Sequence, residues 1–169
     1  MSEIKERLKQ YIELHWVDES IDYMLAEDVS AIKPLHSIGS FRKQSANAMP
    51  LYGAAPGFVL DESFSEYLFR QIDERHEKDT DVYKRANLDR KLFSKIRREN
   101  YHVSKSTAIA LAVALRMNKT EAKKLLEKAG YTLSESILAD VIVSFFLEEG
   151  IYDLTKINEA LLEYDQKLI

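Results

Sequence analysis

Apolar residues recur along this chain at intervals of three and four, the period of a helix buried on one face. Ile4, Leu8, Tyr11, Ile12 and His15 keep that spacing, and Ile21, Met24 and Leu25 continue it, which predicts one or two short N-terminal helices. Phe64, Tyr67, Leu68 and Ile72 mark another helix, with Asp61 or Ser63 placed to cap it. Ser104 can cap a helix carrying Ile109, Leu111, Ala112 and Leu115. Asn118 with Glu121 three positions on makes a capping-box start ahead of Ala122, Leu125 and Leu126, and Gly130 suits the left-handed position that closes such a helix. Ile137, Leu138, Val141, Ile142, Phe145 and Phe146 describe a helix ending at Gly150. The last helix begins near Asp153 and carries Leu154, Ile157, Ala160, Leu161 and Tyr164. No alternating strand pattern of useful length interrupts the series, so the expected fold is all-α.

Pro34, Gly39, Pro50, Gly53, Pro56 and Gly57 cluster in one stretch, the natural place for a long loop. Its Phe41, Met49, Leu51, Tyr52, Phe58 and Val59 are too apolar for a plain spacer, so part of it is expected to pack on a neighbour. The expected organisation is N-terminal helices and linker over 1–59, then a helical domain over 60–169.

Within that domain, Thr80–Ala86 and Arg90–Glu99 read as two short helices joined by Asn87-Leu88-Asp89. Asparagine tolerates the positive φ that a tight turn needs. Leu88 is the apolar residue such a turn buries, and Asp89 can cap the second helix. Leu92, Phe93 and Ile96 form that helix's inward side; Arg90, Lys91, Ser94, Lys95 and Arg98 form its outward side. Arginine and lysine reach guanine edges, and serine reaches either a base or a phosphate.

Composition sharpens this picture. The 169 residues are 46% hydrophobic and 31% charged, enough for a real core, and no cysteine is present, which excludes disulfides, cysteine-based zinc sites and thiol nucleophiles. No apolar run approaches a membrane span and Met1–Gln10 lacks a signal-peptide core, so a cytoplasmic protein with no membrane association is expected. The net charge of −4 argues against a chain dominated by nucleic-acid contacts unless its cations are concentrated. They are: from Lys84 to Lys105 eight basic residues face only Asp89 and Glu99, giving +6 and leaving −10 elsewhere. The plain alternative is a solvated helix side that happens to be basic.

Asp79–Arg98 followed by Ser104–Leu126 resembles the Xre and Cro-like repressor pattern, with Asn87 where that family usually has glycine and Tyr83 where it usually has alanine. The tyrosine implies that the packing at this helix crossing differs from the family's. The resemblance implies a repressor-like helix-turn-helix bundle extended by C-terminal helices, with a recognition helix over 90–99. It implies a dimer that places two such helices on successive major-groove faces. The segments LDESFSEYLFRQID, DVYKRANLDRKLFSKIR, SKSTAIALAVAL, LLEKAGYTLS and INEALLEYDQ also resemble a helical module common in Firmicutes, often the C-terminal part of larger proteins that include macro-domain proteins. That likeness spans Leu60 to Ile169 and implies that the acidic terminal helices share the domain.

The expected function is therefore a DNA-binding transcriptional regulator, or a module derived from one. Its duplex DNA contacts would come from Arg90, Lys91, Ser94, Lys95, Arg97, Arg98 and Lys105. The alternative is a protein-interaction adaptor of a mobile-element, stress or defence system, with the basic helix docked on an acidic partner. His15, His36, His76 and His102 have no metal-ligand spacing, no glycine-rich phosphate loop exists, and no base accompanies the serines and threonines. No enzymatic activity, metal or cofactor is expected. Phe145, Phe146 and the Ile137, Val141, Ile142, Ile151 stripe read as core, or as a homodimer seam if one subunit cannot cover them.

Overall fold

The structure, a computed structural model, describes residues 2–16, 62–98 and 101–169. They form eight helices: α1 (Ser2–His15), α2 (Phe64–Glu74), α3 (Asp79–Arg85), α4 (Arg90–Ile96), α5 (Lys105–Ala114), α6 (Lys119–Lys128), α7 (Leu138–Glu148) and α8 (Leu154–Glu163). No strand occurs among the described residues, and none of their helices is long and apolar enough to cross a membrane. The helical pattern at Ile21–Leu25 and the apolar positions of the linker lie outside the described residues.

Capping chemistry fixes the helix starts. The Ser63 side chain accepts from the Glu66 backbone N–H while the Glu66 carboxylate accepts from Ser63, a closed capping box at α2. Those hydrogen bonds from Ser63 hold the Glu66 carboxyl below the usual carboxylate range. Asn118 and Glu121 close the same box at α6, and Ser104 and Asp153 cap α5 and α8.

Six of the eight helix ends follow one rule. α2, α3, α5, α6, α7 and α8 each pass into a left-handed residue: His76, Asn87, Arg116, Gly130, Gly150 and Asp165. In each, the next N–H reaches back to a carbonyl five residues earlier at 2.8 to 3.1 Å, the Schellman closure. Only two of the six are glycines, so most of these positions carry strained side-chain-bearing residues. α4 ends on Arg97 in ordinary helical backbone.

Two helices form the centre. Ala108–Ala114 of α5 are all buried, as are Asp140–Leu147 of α7, the mark of helices surrounded by protein. α5 packs against α3 and α6, and α7 against α1, α6 and α8. α2 lies on α6.

Helix α1 joins residues 62–169 in one compact unit, although the sequence pattern drew its boundary at residue 60. The reason is burial. Leu8 and Ile12 are buried, Tyr11 meets Phe145 edge-on at 5.4 Å, and Arg7 and Lys5 pair with Glu149 and Glu163. A short amphipathic helix could not stand alone with that apolar side in water. Phe145 and Phe146 are thereby covered within one subunit. Ile137 is 48% exposed at the N-cap of α7 and does not belong to the stripe expected of it; the residue before a helix does not share its face.

Candidate nucleic-acid interface

The site begins with the turn. α3 ends at Arg85, Asn87 takes φ 52°, and the Leu88 N–H returns to the Tyr83 carbonyl at 2.8 Å. Leu88 is half-buried against the core, and the Asp89 side chain accepts from the Lys91 N–H to start α4. The expected turn chemistry is present residue for residue.

α4 is shorter than expected. It stops at Ile96, not near Glu99, because the next inward positions after Phe93 and Ile96 are polar and offer nothing to bury. Phe93 and Ile96 are buried; Leu92 is half-buried. The Phe93 ring meets Phe69 of α2 edge-on at 5.5 Å and Tyr83 of α3 at 5.6 Å. Tyr83 thus turns its ring onto the phenylalanine of α4.

The outward side is exposed as the pattern required. Arg90, Lys91, Ser94, Lys95 and Arg98 all face solvent, and none of the four cations has an ion-pair partner among the described residues. Elsewhere the described cations are mixed: Lys9, Lys78, Arg116, Lys123, Lys124, Lys156 and Lys167 also have no ion pair among the described residues, but they are spread over several helices and loops. Lys5, Arg7, Arg70, Arg75, Arg85 and Lys119 are all neutralised, by Glu163, Glu149, Glu62 with Glu74, Glu121, Glu77 and Glu148.

Two of the expected contacts are placed otherwise. Arg97 pairs with Asp79 at the start of α3, and its guanidinium lies over the Phe69 ring, 4.1 Å from the centroid. Lys105, in the first turn of α5, donates to Asp140 of α7 at 2.5 Å, and Asp140 is buried. Lys105 is thereby tied to a buried carboxylate, whereas Arg97 is held in a pair at the surface, its side chain 57% exposed. Sequence spacing could not show this, since the partners lie 18 and 35 positions away. Lys84, counted above only for its charge, is also exposed and unpaired among the described residues, in the last turn of α3. Tyr101 and His102 are exposed beyond α4.

The other cavities and clusters are of a different kind. No group of three or more metal-ligating side chains occurs among the described residues. An apolar cleft of about 300 Å³ lies between α1 and α8, lined by Ile4, Leu8, Phe146 and Ala160 and bordered by charged side chains. Lys119, Glu148 and Tyr11 form a small hydrogen-bonded cluster that ties α1 to α6 and α7. No protein-family model, no curated protein and no solved structure matches this chain.

Proposed function

We propose that the protein binds duplex DNA through the outward side of α4, as a transcriptional regulator of the helix-turn-helix type. The observation that carries the reading is the concentration of unpaired cations on one short helix. In a chain with more carboxylates than cations, Arg90, Lys91, Lys95 and Arg98 crowd the exposed side of one seven-residue helix and its exit, with no carboxylate on α4 and no ion pair to any of them among the described residues. Unmatched cations on one side of a helix of about two turns suit insertion into the major groove, with Ser94 among them as a small donor and acceptor. The anchoring behind supports this. Phe93 and Ile96 hold α4 to the bundle, so its outward side is presented by a fixed body, as base readout requires.

The test is fluorescence anisotropy on random-sequence duplex DNA over a salt series. Four neutralised phosphates give a log–log slope of about −3.6, so affinity should fall roughly 150-fold between 50 and 200 mM salt. Arg90→Ala/Lys91→Ala should flatten the slope by about 1.8. Binding that survives this double variant with an unchanged slope would remove α4 from the interface. Absence of duplex affinity together with capture of an acidic protein partner would favour an adaptor.

A further inference from the structure

α4 ends on Arg97 in ordinary helical backbone, and there the Arg97 side chain reaches across two other helices. We infer that Arg97, with Phe69, is a positioning device that sets the angle of α4, and that it is not a phosphate contact. This deepens the DNA-binding reading and rests on it.

The geometry is a chain of contacts through three helices. Arg97 pairs with Asp79 on α3 and stacks over Phe69 on α2. Phe69 meets Phe93 edge-on, and Phe93 meets Tyr83 of α3. α4 is therefore gripped at mid-helix by Phe93 between two rings, and at its C-terminal end by Arg97. Guanidinium over an aromatic ring suits arginine because its planar face stacks while its edge still pairs with a carboxylate. A seven-residue helix has little stiffness of its own. At the end of α4 the Arg97 side chain adds a fastening of its own, to α3 and to α2. Release of that end would let α4 pivot on Phe93, and its exposed cations would lose their register with the groove while keeping their charge.

The consequence separates position from charge. Phe69→Leu removes the stacking surface and alters no charged residue. Arg97→Met removes the pairing and keeps an apolar stem. Both should weaken duplex binding roughly tenfold with a salt slope within about 0.3 of wild type, and Arg97→Lys should recover part of the loss. Amide hydrogen exchange on the free proteins should show faster exchange confined to α4 in both variants, with α5 and α7 unchanged. A slope flattened by about 0.9 in Arg97→Met, with Phe69→Leu binding as wild type, would make Arg97 a phosphate contact and overturn the inference. Unchanged α4 exchange in both variants would overturn it as well. If wild-type protein has no duplex affinity, the functional reading fails, and the exchange experiment still decides whether Arg97 and Phe69 hold α4.

Discussion

Replacing Lys105 with methionine tests whether this cation is structural. Asp140 is 3% exposed, and its Oδ2 accepts from the Lys105 ammonium at 2.5 Å and from the Ser134 N–H at 2.9 Å. Lys105→Met keeps the stem of the side chain and leaves the carboxylate buried with one donor. Removing one partner of a fully buried pair costs about 3–5 kcal/mol. The Lys105 side chain is 29% exposed, so water can approach the orphaned carboxylate, and about 2–3 kcal/mol is expected instead. For a domain of this size that is a fall in Tm of about 5–10 °C. Asp140→Asn should cost less, since the lysine can turn to solvent. Urea unfolding of both single variants and the double variant closes a cycle whose coupling should be about 1–2 kcal/mol. A loss below about 0.5 kcal/mol in Lys105→Met would refute the reasoning, because the pair would then sit in water. Should that variant also flatten the DNA salt slope by about 0.9, Lys105 would belong with the cations of α4.

Asn87→Ala should destabilise by about 1 kcal/mol, and Asn87→Gly should change little, because the turn holds φ at 52°; equal urea midpoints for wild type and alanine would contradict this. Phe93→Ala should cost about 3–4 kcal/mol, read by the same unfolding assay, since it empties the space between Phe69 and Tyr83. Burial pushes Glu148 upward, but the hydrogen bonds from Lys119 and Tyr11 prevail and hold its carboxyl below the ordinary 4.5. A carboxyl lowered on folding stabilises above its unfolded value, and that contribution is lost as pH falls through the folded one. Glu148→Gln should therefore show a shallower loss of stability below about pH 4.5 than wild type, measured as urea midpoints across pH. A parallel acid limb in the two proteins would refute it.

What the sequence showed clearly was local. The caps at Ser104 and Asn118, the cap of α2 narrowed to Asp61 or Ser63, the start of α8 near Asp153, the left-handed Gly130 and the turn at Asn87 all follow from short-range chemistry, within a few residues. The left-handed His76, Arg116 and Asp165 carry no such signal, because there the surrounding bundle imposes a conformation the residue does not prefer. The seat of α1 was hidden for a related reason: periodicity shows that Leu8 and Ile12 are buried, not that α7 buries them. The end of α4 fell between the two cases. Its last apolar position, Ile96, is visible in the sequence, but the outward phase of Arg98 extends the expected helix to about Glu99, past the end at Ile96.

The charge pattern is where sequence and structure differ most in what they say. A run of +6 in a chain of −4 presents eight cations as equivalent. In the fold they divide into two populations by what lies behind them. Arg85, Arg97 and Lys105 stand where other helices approach, and each meets a carboxylate from a different part of the chain: Glu77, Asp79 and Asp140. Arg90, Lys91, Lys95 and Arg98 stand on the side away from Phe93 and Ile96, where no described helix approaches, and Lys84 is likewise exposed and unpaired among the described residues at the end of α3. The residues that stabilise the bundle and those open to a polyanion are therefore interleaved within about 20 residues and separated only by helical phase. Substitutions in the first population should act on stability or on the placement of α4, those in the second on the salt dependence of binding. Scoring all eight by both readouts tests the division directly.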